Sequence, residues 1–188
     1  MRGRALRARG VPPLRAALTI LGLAVVAWSC GSPTPCSDIL ASPAAQRLLA
    51  EAQASVDFGL VPPCGRDSLL TVTGVHTDLM PGDSAQPRVT FIVSRGDDIA
   101  FTLSETRARM PFTAIPQGTR RLVVDREDVL AEGFTGPSGS GSEISYLRWR
   151  TGEVTFELSA TLRHWQTLAD VQFVAAAIIE RAVRAGPR

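Results

Sequence analysis

The 188 residues of this chain include 20 arginines and 18 acidic residues but no lysine and no asparagine, so the overall charge is slightly positive. Five of the arginines precede Cys30, and the part that follows carries 15 basic against 18 acidic residues, a formal charge of −3. The positive charge of the whole chain therefore comes from the segment before Cys30 and is no evidence for nucleic-acid binding, so no nucleic-acid partner is expected. The part after Cys30 is long enough to bury one domain core.

Residues 1–29 have the pattern of an export signal. Arginines lead into an uncharged apolar run from Ala16 to Ala27, shorter than the roughly 20 residues that span a bilayer. Ser29 and then Cys30 follow. This arrangement resembles the lipobox of bacterial lipoproteins, in which the cysteine thiol is diacylated, although Ala27 and Trp28 depart from that family's usual aliphatic and small residues. We therefore expect Cys30 to carry a lipid that holds the protein at the extracytoplasmic face of the cell membrane. An ordinary secretory signal with a secreted product and an uncleaved N-terminal anchor are the alternatives.

Residues 30–41 are predicted to form a tether, and two more cysteines suit an exported protein. If Cys30 is acylated, Cys36 and Cys64 remain as an even pair in an oxidising compartment, where a disulfide persists. On the chain-entropy model such a bond would stabilise the domain by roughly 3–4 kcal/mol. Two thiols and two distant histidines show no ligand spacing, so no metal site is expected.

Residues 42–186 are predicted to form a single domain that begins with a helix. Ser42 and Pro43 are typical of an N-cap and a first helical position. Beyond this helix, Val56, Phe58 and Leu60 alternate as in a strand. Seven further runs rich in β-branched and aromatic residues predict strands at Leu69–Val75, Arg88–Ser94, Ile99–Ser104, Arg121–Asp125, Glu127–Ala131, Ile144–Arg150 and Glu153–Thr161.

The last predicted element is an amphipathic helix. Thr167 to Asp170 is typical of a capping box, and apolar residues recur at three- and four-residue steps from Leu168 to Ala182. The order helix, antiparallel strands, helix predicts an α+β fold. We expect a twisted antiparallel sheet of about six to eight strands, with a short N-terminal helix and the C-terminal helix packed on one face.

The charged side chains on the last two predicted strands indicate cross-strand ion pairs rather than a catalytic site. Glu153 and Glu157 share one strand face, and Arg148 and Arg150 lie on the neighbouring strand, where cross-strand pairs on an exposed face are favourable. The Gly- and Ser-rich segment 136–142 is predicted to be a mobile loop between strands.

No set of residues predicts a catalytic centre or a cofactor site. His76, with Asp78 nearby, follows a strand, and His164 stands beside Trp165, which is expected to pack at the start of the last helix. We therefore expect a protein that is not an enzyme. An extracytoplasmic hydrolase that uses His76 or His164 with nearby acids is the alternative, and it would require a histidine and carboxylates within hydrogen-bond reach.

The segment SYLRWRTGEVTFELS (residues 145–159), followed by the last helix, resembles the end of a bacterial family, domain of unknown function 4367, found on lipoproteins and at the outer ends of anti-sigma-type regulators. The segment VDFGLVPP (residues 56–63) resembles the opening strand of that family, whereas Cys64 departs from its pattern. The resemblance covers about residues 55–185, implies no known activity, and suggests by analogy the half-barrel of lipoprotein carriers. Taken with the anchor, it predicts a lipid-anchored domain that binds a protein partner or an apolar ligand.

Overall fold

The computed structural model describes residues 36–40, 42–80, 85–110 and 114–186. The predicted export signal, Cys30 and most of the tether lie outside the described residues. Within these ranges, no helix has the length and apolar character needed to cross a bilayer. The elements, in chain order, are β1 (Ser37–Asp38), α1 (Pro43–Ala54), β2 (Cys64–Gly65), β3 (Leu70–Met80), β4 (Gln86–Arg95), β5 (Asp98–Thr106), β6 (Arg120–Arg126), β7 (Val129–Pro137), β8 (Glu143–Thr151), β9 (Val154–Thr161) and α2 (Leu168–Ala185).

Seven of the strands form one antiparallel sheet in the order β3-β4-β5-β9-β8-β7-β6, and β1 pairs with β2 separately. Consecutive strands are neighbours everywhere except between β5 and β6, which three strands separate. The connection from β5 to β6 must therefore cross the sheet. The architecture confirms the predicted α+β fold, with one short helix before the sheet and a longer helix after it.

The alternation of side chains divides the sheet into two faces. The inner face carries the apolar residues that α2 covers, and the outer face carries mainly polar residues. Ile178 of α2 is fully buried, as are Leu103 on β5, Leu147 on β8 and Leu158 on β9, which are aligned across the three central strands. The burial of Ile178 and of these leucines confirms that the stripe of α2 predicted from the sequence packs on the sheet.

The turn between β6 and β7 corrects one predicted strand. Glu127–Ala131 was expected to be extended, but Glu127 and Asp128 have φ angles of 52° and 60° and form the two-residue turn itself. A turn with both central residues at positive φ matches the right-handed twist of the flanking strands. The strand that follows is Val129–Pro137, longer than predicted.

Two other segments differ from their predictions for local reasons. Residues 56–60 form no strand, because the side chain of Gln53 donates to the Phe58 carbonyl at 2.7 Å and accepts from the Leu60 amide at 2.9 Å. These bonds occupy backbone groups that a strand would need. In segment 136–142, the first two residues end β7, and the Ser138 amide donates to the Ser142 carbonyl at 2.7 Å in a closed turn.

The predicted disulfide is present and joins Cys36, the residue before β1, to Cys64 of β2. Cys36 and Cys64 have an S–S distance of 2.02 Å and a Cα–Cα distance of 5.4 Å. Arg181 of α2 fixes the same region, since its guanidinium donates to the carbonyls of Pro62 at 3.2 Å and Cys36 at 3.0 Å. The segment that leads from the tether is thereby held against α2.

Candidate functional site

A cavity of about 210 Å³ lies between the N-terminal half of α2 and the inner face of the sheet. Its floor and walls are largely apolar, because β5, β9 and α2 each turn their buried stripe towards it. The apolar lining consists of Leu70, Phe101, Leu158, Ala160, Val171 and Val174. Small Ala160, which is 2% exposed, leaves space between the larger side chains.

The start of α2 supplies part of the polar rim. Thr167 caps the helix, and Asp170 completes the predicted capping box: its Oδ2 accepts from the Thr167 amide at 2.9 Å and from the Thr167 hydroxyl at 2.8 Å. The other oxygen of Asp170 lies 4.0 Å from the Arg66 guanidinium. The cap that begins the helix therefore also orients a carboxylate at the cavity, near a partner from the loop after β2.

Arg66 and Asp67 close the rim opposite α2. The Arg66 guanidinium lies 3.8 Å from the centroid of the Phe173 ring, in cation–π geometry. Arg95 Nε lies 2.7 Å from Asp67 Oδ2, which ties this loop to the end of β4. The rim is thus assembled from residues that are far apart in the sequence, and ion pairs and a cation–π contact hold them together.

Trp165 forms one wall of the cavity, next to the start of α2. The Arg95 and Arg163 guanidiniums lie 5.1 and 5.9 Å from its ring centroid. The adjacent Gln166 is buried and donates to the Ala100 carbonyl at 2.6 Å, which anchors the loop to β5. Trp165 thus packs at the start of the helix, as expected, but the sequence did not show that it borders a cavity.

The histidines that the sequence singled out lie elsewhere. His76 is exposed on β3, in register with Thr90, and His164 is exposed in the turn before α2. A hydrogen bond from Arg88 is the main cause that lowers the pKa of Asp78, so Asp78 is paired with Arg88 rather than with His76. Within the described ranges, neither histidine is hydrogen-bonded to a carboxylate, and no cluster of potential metal ligands occurs. The hydrolase alternative stays a prediction.

The predicted ion pairs on β8 and β9 form only in part. Arg148 pairs with Glu157 at 2.5 Å, and both side chains are largely buried on the outer face. Glu153 lies 3.6 Å from Arg107 instead of joining Arg150. The Tyr146 hydroxyl also donates to Glu157, and burial, with this bond, raises the pKa of Tyr146.

Glu105 is a buried acid that the sequence analysis did not single out. It lies on the inner face of β5, in register with Val89 and Phe156, and is fully buried. Its two carboxylate oxygens accept from the Val61 amide at 3.2 and 3.0 Å. Burial raises the pKa of Glu105 well above its usual range, and the bond from Val61 opposes this shift only in part. The alternation of Phe101, Leu103 and Glu105 was the signal that could have placed it on the apolar face.

No protein-family model, curated protein or solved structure matches this chain. The resemblance of residues 145–159 to the lipoprotein-associated family stays a prediction. The candidate site consequently depends on its own geometry: an apolar cavity, a charged rim and an aromatic wall.

Proposed function

We propose that this protein is an extracytoplasmic binding domain, held at the membrane by a lipid on Cys30, that accepts a small apolar group in the cavity beneath α2. The apolar cavity with its charged rim carries the proposal. Binding sites for small molecules combine an apolar lining with a few polar groups that fix orientation. No catalytic residue is needed for this role.

The volume of the cavity limits the size of the bound group. An engineered apolar cavity of about 150 Å³ in another protein binds benzene, so the 210 Å³ here suit a substituted aromatic ring or a short branched alkyl group. Burial contributes about 0.8 kcal/mol for each CH₂ group removed from water. A larger ligand or a protein partner would insert one such group and leave its remainder at the rim.

The rim would select for ligands with a polar end. Arg66 and Asp170 are 44% and 36% exposed, so both remain able to exchange their long ion pair for bonds to a ligand. Trp165 offers a ring beside the apolar lining, against which a planar group could stack. The expected ligand is therefore amphipathic, with its apolar end inside.

The cavity is tested by filling it. We expect toluene to shift the NMR methyl signals of Leu158 and Val171 in the wild-type protein. Ala160→Leu places a larger side chain in the cavity and should abolish these shifts. The matched control is Ala50→Leu, at an exposed position of α1, which should bind toluene like the wild type. Equal shifts in Ala160→Leu and the wild type would contradict the proposed site.

The anchor is tested separately. In cells supplied with labelled fatty acid, we expect the wild-type protein to incorporate the label and to sediment with membranes. Cys30→Ser should lose both properties, because the acylated thiol is removed. Unchanged labelling of the variant would refute acylation at Cys30 without bearing on the cavity.

A further inference from the structure

The first part of the connection from β5 to β6, at residues 108–110, lies on the outer face of the sheet. Thr106 and Thr155 lie opposite each other on β5 and β9, and both are buried although they belong to this polar face. The cause is Ala108, whose amide donates to the Thr106 hydroxyl at 3.1 Å and whose carbonyl accepts from the Thr155 hydroxyl at 2.8 Å. The crossover therefore lies directly on the sheet at this point.

Beyond Ala108, the crossover and β8 border an open cavity of about 660 Å³. Arg109 borders it from the crossover, and Arg148 and Arg150 border it from β8. Glu132, the acid in its lining, is already paired with Arg121. The outer face thus brings an excess of guanidinium groups to one cavity.

The orientation of Arg150 is fixed without neutralising its charge. Its Nη1 donates to the Thr155 hydroxyl at 3.0 Å, and that hydroxyl in turn donates to the Ala108 carbonyl. Among the described residues, no carboxylate lies within 4 Å of Arg109 or Arg150. Glu153, the acid that favours the charged form of Arg150, lies 3.6 Å from Arg107 Nε.

Arg109 and Arg150 therefore bring two positive charges to the same cavity. Burial, followed by the charge of Arg109, lowers the pKa of the Arg150 guanidinium. An arrangement that keeps two arginines together without an acid between them is unfavourable until an anion neutralises both. Each guanidinium has five N–H donors in a planar fork, which matches oxyanions in bidentate geometry.

We propose that Arg109 and Arg150 form a binding site for a phosphate group on the outer face of the sheet. The oxygens of a phosphate group are arranged tetrahedrally, so two guanidiniums from different elements can donate to one group from different directions, whereas the two oxygens of a carboxylate lie in one plane. The site lies on the opposite face of the sheet from the cavity beneath α2. It therefore does not depend on the function proposed for that cavity.

The site is tested by titrating the protein with glycerol 3-phosphate at low salt while recording the NMR signals of the arginine side-chain N–H groups. We expect the signals of Arg109 and Arg150 to shift. Arg109→Gln and Arg150→Gln should each weaken binding by about tenfold, since each loses charge-assisted hydrogen bonds. Because Arg109 is exposed, Arg109→Gln is expected to keep the fold.

The control is Arg47→Gln, an exposed arginine on α1 that should bind like the wild type. A second arm replaces the soluble ester by vesicles of phosphatidylglycerol or of phosphatidylcholine. Binding of the ester identifies a soluble phosphate ligand, and binding only to phosphatidylglycerol vesicles identifies a lipid headgroup. Absence of both, or binding that Arg109→Gln and Arg150→Gln leave unchanged, would overturn the proposal.

Discussion

Ile178 is the side chain whose removal should test the packing of α2 most directly. It is fully buried between α2 and the inner face of the sheet. Truncation of a buried isoleucine to alanine costs about 2–5 kcal/mol, because the transfer free energy is lost and a cavity remains. Domains of this size have a free energy of unfolding of about 5–15 kcal/mol. Ile178→Ala should therefore fold with a much lower stability, whereas Ile178→Asp, which buries an unpaired charge, should largely unfold the domain.

The assay is urea unfolding under non-reducing conditions, followed by far-UV circular dichroism and tryptophan fluorescence. With a slope of about 2 kcal/mol per molar urea, a loss of about 2–5 kcal/mol should lower the midpoint of Ile178→Ala by about 1–2.5 M. Val183→Ala is the control on the same helix, because Val183 is 38% exposed and its truncation should change the midpoint little. A soluble Ile178→Asp protein with the wild-type midpoint would refute the reasoning and would show that this face of α2 is not buried.

Two further predictions concern the acid and the disulfide. Because the pKa of Glu105 is raised in the folded state, the contribution of Glu105 to the free energy of unfolding should be fully present below the ordinary value of 4.5. This contribution should be lost as pH rises through the raised pKa. Urea unfolding at a series of pH values should show that Glu105→Gln loses this pH dependence of stability and that the control, exposed Glu153→Gln, keeps it. Parallel plots of the free energy of unfolding against pH for the wild type and Glu105→Gln would contradict the raised pKa of Glu105. Reduction of the Cys36–Cys64 bond should lower the free energy of unfolding by about 3–4 kcal/mol. Non-reducing mass spectrometry should find the two cysteine peptides linked, and two freely alkylated thiols in the folded protein would exclude the bond.

The crossover has a structural consequence beyond the proposed phosphate site. It buries Thr155 and Thr106 on a face that would otherwise be exposed, and it places Arg109 at the cavity that Arg150 borders. A different strand order would leave these residues apart even with the same strands. The chemistry of the outer face therefore depends on topology rather than on any local motif.

Local patterns were sufficient for most of the elements. The alternation that places Phe156 and Leu158 on one face, and the capping box at Thr167 and Asp170, depend on neighbours a few residues away. Backbone periodicity and helix capping are short-range effects, so the sequence could determine them. The disulfide followed from the pair of cysteines that remains when Cys30 is set aside, and it was equally independent of topology.

The limits of sequence patterns appear at Glu127 and Asp128, which adopt positive φ although neither is glycine. The sequence pattern placed both residues at the start of a strand, Glu127–Ala131, and only the twist of the paired strands β6 and β7 selects the turn. The Gln53 side chain likewise replaces a strand at residues 56–60 by bonds that no alternation could reveal. In both places, interactions between chain segments outweigh local propensity.

By itself, the sequence determined the fold class, both helices, most of the strands and the cysteine pair, because these follow from periodicity, capping and composition. Only the tertiary structure decided where the sites lie. It brought Arg66 to Asp170 and Trp165 to a cavity, left both histidines on the surface, and set Arg109 beside Arg150. Cavities and charge clusters join residues that are far apart in the chain, and their spacing depends on strand order and crossover direction, which no short-range pattern encodes.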